Sequence, residues 1–430
     1  MKNCIVIVML AMLWGCKEEP KAVEGNDIAA NLKTYTIKQM MDNENVFGGS
    51  FSPDNSKLLI SSNRSGIYNM YTIAVSGGEP MPLTASDSSS IFAISYFPKD
   101  NRMLFRMDNN GDEIFHIYAR DTTGNHSNLT PDEGARTNFY GWAKDDQSFF
   151  FTSNKRDSKY MDLYEMNIAT MKPTLLYKNE EGYSLGGLSD DKNYLPLSKS
   201  LNTNDSDLFL YSLQDKSLVK INKNQSSNSS EAFSKDGKSF YYTTDDGAEF
   251  AYLMKYTIAE KTYEKVMERD WDIMGSYFTE NGKYQVTYIN EDAKNVIEVK
   301  DMASGENIEL PAFDNASITN VGFSDNEQLM RFYVGGSHTP SNLYLYDLES
   351  KEQKQLTDVL NDEIEGQHLV NAEVIRYKSF DGLDIPAIYY KPHQASEAHK
   401  VPALVWVHGG PGGQSRQNFS SLIQYMVNHG

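Results

Sequence analysis

The hydrophobic and polar positions of this 430-residue chain follow one pattern that returns seven times. Each return starts at an aromatic residue or Leu, passes two variable positions to an Asp or Asn, and runs on into a β-rich stretch. It reads FSPDNSKLLIS from Phe51, FPKDNRMLFRM from Phe97, WAKDDQSFFFT from Trp142 and LSDDKNYLPLS from Leu188. It continues as FSKDGKSFYYT from Phe233, FTENGKYQVTY from Phe278 and FSDNEQLMRFY from Phe323. Successive anchors lie 46, 45, 46, 45, 45 and 45 residues apart. So even a step marks a repeat architecture.

A second half recurs within each unit. YNMYTIAV from Tyr68, IFHIYARD from Ile114, MDLYEMNI from Met161 and SDLFLYSL from Ser206 alternate in character at period two, as half-buried strands do. AYLMKYTI from Ala251, NVIEVKDM from Asn295 and SNLYLYDL from Ser341 complete the series. Polar clusters such as SNRSG, DNNGDE, TNDSD and TDDGAE separate the halves as turns. A short final stretch follows, often closing on Leu-Thr, as at Leu83, Leu129 and Leu356. Four strands per unit at this period predict a mainly β fold, a seven-bladed β-propeller over residues 34–370. The recurring Asp or Asn is expected to cap the turn between the first two strands, because its side chain can bond the backbone two residues on.

After the seventh unit the pattern changes. Val374 to Lys378 and Ile385 to Tyr390 flank an Asp381-Gly382 turn and predict a β-hairpin. Ala403–Val407 is a continuous apolar run of the kind buried on both faces of an α/β sheet. It ends in His408-Gly409-Gly410-Pro411-Gly412-Gly413, and from Phe419 to Val427 the residues Leu422, Ile423 and Met426 fall at helical spacing. Strand, glycine turn and helix are the opening of an α/β-hydrolase sheet, so residues 371–430 are expected to form its N-terminal part.

Composition narrows the chemistry. With 27 Tyr and 20 Phe the chain suits pleated, half-buried surfaces. Its net charge of -19 is that of a well-solvated acidic surface and argues against nucleic acid, since no basic patch is left to neutralise phosphates. No HExxH, Walker loop or Cys/His cluster occurs, so no metal or other cofactor is implied. Asp108, Asn110 and Asp112 echo the start of a calcium loop, but the Gly and distal Glu it needs are absent, which leaves a polar hairpin turn.

The N-terminus carries a Lys at position 2 and an apolar run from Cys4 to Trp14, too short to span a bilayer but suited to a signal peptide over residues 1–15. Leu13-Trp14-Gly15-Cys16 resembles a bacterial lipobox, which implies lipidation at Cys16, a cell-envelope location and a tether over 16–33. Trp14 departs from the small residue usual there, so ordinary cleavage or an uncleaved anchor stay open. Lys17-Glu18-Glu19 resembles the tag of surface-exposed lipoproteins. Cys4 and Cys16 are the only cysteines, so the mature chain has no internal disulfide.

The FSPD-type repeat resembles that of TolB-type propellers and of the propeller domains of the prolyl oligopeptidase family of serine peptidases. SFDGLDIPAIYYKP followed by VPALVWVHGGPGGQ resembles the start of that family's catalytic domain, nearest its acylaminoacyl-peptidase and dipeptidyl-peptidase branches. Proline iminopeptidases carry a similar glycine turn without a propeller. The resemblance implies hydrolysis of short peptides by a Ser-His-Asp triad through an acyl-enzyme, with the propeller gating access. It assigns the Gly410 amide, supported by Gly409, to an oxyanion hole, worth ~3–4 kcal/mol per well-placed donor. His408 and Pro411 then support the turn, since the base in this fold comes last in chain order. No G-x-S-x-G elbow occurs within the 430 residues, so the triad is expected beyond Gly430 and this piece is expected to be inactive alone. The rival expectations are a TolB-like binding protein with a degenerate extension, and an esterase on the same scaffold. The only membrane contact implied is the N-terminal lipid, and the sequence carries no signal for oligomeric state.

Overall fold

Each repeat folds into its own antiparallel sheet because its strands are joined by tight polar turns and each has an apolar face to cover. The computed structural model describes residue 29, residues 31–410 and residues 412–430. The N-terminal apolar run, Cys16 and Pro411 therefore lie outside the described residues. Seven consecutive sheets cover 46–82, 91–128, 137–177, 184–220, 228–267, 272–301 and 316–355, and are called blades 1 to 7. In every blade the strands pair in sequence order. Neighbouring blades pack side by side around an axis, blades 3 and 4 through Phe150, Leu163, Leu195 and Leu197, and the first strands of blades 1 and 7 touch, so the ring is closed. The fold is the seven-bladed β-propeller that the repeat predicts.

The core lies between blades rather than within them. Phe97, Leu104, Phe149 and Phe151 fill the seam of blades 2 and 3, and Val286, Met330 and Phe332 that of blades 6 and 7. The ring closes without exchange of a strand: Ile60 and Tyr71 of blade 1 pack on Tyr333, Leu343 and Leu345 of blade 7. Arg331 of blade 7 reinforces this closure. Its Nε donates to Gly49 O at 3.1 Å, and its Nη1 donates to Asn320 Oδ1 at 2.8 Å. Burial lowers the pKa of Arg331, and no ion pair offsets this among the described residues. Gly49 and Gly322 make the space, since a Cβ at either would come within 3.0 Å of the Arg331 side chain.

The repeated acidic residue behaves as expected in most blades. Asp54 accepts from Ser52 Oγ at 2.6 Å and from Ser56 N at 3.1 Å, and these bonds hold its carboxyl at about 2. Asp191, Asp236 and Asn326 repeat the arrangement with Ser189, Ser234 and Ser324. Blade 6 departs twice. Its Asn281 reaches into blade 7 instead of capping its own turn. Its fourth strand is reduced to a single bridge, Lys300 to Asn307.

Beyond blade 7, Ala372–Lys378 and Asp384–Tyr390 form the expected hairpin in full register. Ala403–Val407 does not form the expected strand. Leu404, Val405 and Trp406 are 68%, 84% and 59% exposed. A strand needs a paired neighbour, and the hairpin's two strands pair only with each other among the described residues. The helix forms two residues later than the periodicity suggests, as Ser421–His429, because Ser420 caps it by accepting from Ile423 N at 3.3 Å. A short helix, Ile37–Met41, precedes blade 1 and packs against Ser421–His429. These two helices are called α1 (Ile37–Met41) and α2 (Ser421–His429). No helix among the described residues is long and apolar enough to cross a membrane.

Candidate active site

The glycine turn is shaped by the absence of side chains. Gly410 has φ +138°, and a Cβ there would lie 2.6 Å from Gly413 N and 2.8 Å from Gly412 N. A Cβ on Gly413 would lie 2.3 Å from Gly409 O. The backbone thus folds onto itself between His408 and Gly413, a curvature only glycine allows. The His408 ring Nδ1 lies 3.0 Å from Gly409 O, a local contact that fits a role in the turn. Among the described residues no backbone hydrogen bond takes up the amides of Gly409 or Gly410. Gly409 and Gly410 are exposed, and their amides are available to an incoming oxygen.

The chain after the turn is tied to the propeller face on which the first strands begin. Asn290 Nδ2 donates to Gln414 Oε1 at 2.8 Å, Arg416 Nη1 to Asn295 Oδ1 at 3.0 Å, and Gln417 N to Ala293 O at 3.2 Å. Arg376 of the hairpin pairs with Asp292 at 2.8 Å. Two of the four contacts use the turn between the second and third strands of blade 6, where Asp292 and Ala293 both have positive φ, and two use the paired Asn290 and Asn295 beside it. A cavity of about 410 Å³ lies between this segment and the ring, lined by Glu44, Lys294, Ser317, Thr319, Gln417 and Phe419.

α2 is fixed by two polar residues that the helical spacing gave no reason to single out. Gln424, fully buried, donates to Ser337 O at 2.7 Å and Val370 O at 2.8 Å, and accepts from Val370 N at 3.0 Å. Asn428, four residues on, accepts from Tyr35 N and donates to Lys33 O, each at 2.9 Å. Their i, i+4 spacing was the only available signal, and it reads equally as a solvated face. Beside this clamp a cavity of about 630 Å³ opens toward His338, Glu373, Lys391 and His393. Burial lowers the His338 pKa, and its Nδ1 has no partner among the described residues.

The ring interior also holds an unusual carboxyl. Glu231 sits at a bulge in the first strand of blade 5, where Ser230 and Ala232 flank a break in register. It accepts from Ser276 N at 3.0 Å and Thr243 Oγ1 at 2.9 Å, and no ion pair reaches it among the described residues. Burial raises it to about 7. Between roughly pH 4.3, where an unfolded Glu titrates, and about 7, the folded chain therefore holds a proton the unfolded chain has released. Stability from this group is complete at the acid end and is lost as pH rises through the window, by about 4 kcal/mol in all. Glu231→Gln should flatten that slope in urea midpoints measured from pH 5 to 8. An unchanged slope would assign it to another group.

No group of three or more His, Cys, Asp or Glu side chains among the described residues is placed to hold a metal ion. The family model for the prolyl oligopeptidase N-terminal β-propeller domain matches residues 83–359. Dipeptidyl aminopeptidase BIII from Pseudoxanthomonas mexicana is 22% identical over 436 residues, covering 96% of this chain and 62% of the relative. The chain thus spans less than two thirds of that relative's length. Prolyl oligopeptidase B from Galerina marginata, bound to a 35mer hydrolysis and macrocyclization substrate, superposes with a TM-score of 0.69 at 15% identity, covering 94% of this chain and 62% of that one. Its apo form gives 0.66 at 16% identity, covering 95% and 63%. With the family model matched over well more than half its length, and seven blades observed, the chain belongs to the prolyl oligopeptidase family.

Proposed function

We propose that this chain is the gating propeller and the opening of the catalytic domain of a secreted serine peptidase that hydrolyses short peptides. The observation that carries the reading is the His408–Gly413 turn, whose free amides stand beside the propeller face to which the following residues are tied. In this reading Gly410 N–H, with Gly409 beside it, donates to the oxyanion of the tetrahedral intermediate. A serine nucleophile, activated by a His held by an Asp, is supplied by sequence that follows Gly430. The propeller limits substrates to short or unfolded peptides. Lipid attached at Cys16 holds the enzyme in the bacterial envelope.

The test compares two chains. The 430-residue chain should give no active-site labelling with a fluorophosphonate probe, whereas a chain continued past Gly430 should label at one serine and cleave aminoacyl-peptide reporters. Labelling of the shorter chain at an active-site serine, or none in the longer one, rejects the proposal. Binding of peptides without turnover in the longer chain would favour a TolB-like role. Metabolic incorporation of palmitate that Cys16→Ser abolishes is the expected mark of the anchor, and unlabelled protein rejects it.

A further inference from the structure

The turns joining the first and second strands of the seven blades gather around the end of the axis remote from the hydrolase-like segment. Most are linked to the next blade in order. Lys99 of blade 2 pairs with Asp146 of blade 3 at 3.0 Å, and Lys192 of blade 4 with Asp145 of blade 3 at 3.6 Å. Lys235 of blade 5 pairs with Asp190 of blade 4 at 3.3 Å. Asn281 of blade 6 donates through its backbone N to Glu327 of blade 7 at 2.6 Å and through Nδ2 to Asp325 O at 2.7 Å.

One contact breaks this order. Lys144 Nζ of blade 3 donates to Glu280 O of blade 6 at 2.6 Å and pairs with the Glu280 carboxylate. Blades 3 and 6 are not neighbours. Blades 4 and 5 separate them on one side and blades 7, 1 and 2 on the other, so the two side chains can meet only across the axis. A second observation agrees. The Asp325 carboxyl of blade 7 is raised from its ordinary value by burial, and then by the nearby charges of Asp146 and Glu280. Acids from three blades thus converge at one mouth, and Lys144 is the cation that reaches across it.

We propose that Lys144 and Glu280 form a latch across this mouth of the propeller, dividing its lumen and setting how far the seven blades can spread. The ring needs such a restraint because blades 7 and 1 are held by side chains rather than by a shared strand. Both partners are substantially exposed, at 40% and 67%, so the pair is of a kind that water and salt can open. Buried apolar seams between neighbours together with one exposed contact across the axis describe a mouth that can widen without unfolding a blade.

The test measures the width of the mouth. With Cys4 and Cys16 replaced by Ser, spin labels at Lys57→Cys and Lys238→Cys report the distance between blades 1 and 5, which lie across the ring from each other. The expected distribution is single and narrow. Lys144→Ala and Glu280→Ala should each broaden it and lengthen it by several ångströms, and molar salt should do the same to the parent. The charge-swapped pair Lys144→Glu with Glu280→Lys should restore the narrow distribution. Zero-length carbodiimide coupling of the unaltered chain should join Lys144 to Glu280, as read by peptide mapping. Absence of that cross-link, or distributions that neither single variant changes, overturns the proposal.

Discussion

Replacing Gln424 with Leu should lower the stability of the folded chain by roughly 3–5 kcal/mol, read as a shift in the urea midpoint. The side chain is fully buried, and Leu has nearly its volume, so the loss is one of hydrogen bonding rather than of packing. Three backbone groups depend on it: Ser337 O, Val370 O and Val370 N. Each becomes a buried polar group with no partner, at ~1–3 kcal/mol apiece. Because Val370 joins the propeller to the hairpin and Ser337 belongs to blade 7, the defect should appear first where these meet. Hydrogen exchange in α2 should accelerate before that of the blade cores. A midpoint shift corresponding to less than about 1 kcal/mol would mean that the clamp is not built as described.

Asp162→Ala should have the next largest effect, for an electrostatic reason. Asp162 is fully buried in blade 3 and accepts from Arg156 Nε at 2.7 Å, Arg156 Nη2 at 2.9 Å and Asn179 N at 2.8 Å. Arg156 also donates to Asn179 O at 2.8 Å. Two-point geometry of this kind fixes both orientation and charge. Asp162 is buried but the Arg156 side chain is 27% exposed, so removing the carboxylate should cost about 2–3 kcal/mol, from the lost charge-assisted bonds and the Asn179 N–H left without an acceptor. The Arg156→Met, Asp162→Leu double variant should recover much of that loss, since neither charge then remains. If the single and double variants unfold at the same denaturant concentration, the pairing of Asp162 with Arg156 is not what makes the site sensitive.

Blade number and the path of the chain around the ring were legible in the sequence because one local device recurs. The carboxylate or amide of Asp54, Asp191, Asp236 and Asn326 ties its own turn, so the same short motif returns wherever that turn is made. The glycine turn was legible for a related reason, since crowding near Gly410 excludes every side chain. Three features resisted. Ala403–Val407 has the apolar content of a buried strand, but pairing depends on neighbours that a local pattern does not contain. Gln424 and Asn428 look like solvated helix positions, and only the fold brings Val370 and Tyr35 against them. Lys144 and Glu280 lie 136 residues apart and meet solely because the ring closes.

The clamp on α2 also has a mechanical meaning. Asn428 holds the backbone at Lys33 and Tyr35, and Tyr35 OH in turn accepts from Glu365 N at 3.0 Å and lies 2.7 Å from His368 Nδ1. The segment leading into blade 1 is therefore spliced to the segment leading out of blade 7. Tension applied along the chain before Lys33 passes into α2 and the 365–370 connection, bypassing the blades altogether. A pull from that end loads a short splice of side-chain bonds, while the ring it serves stays slack.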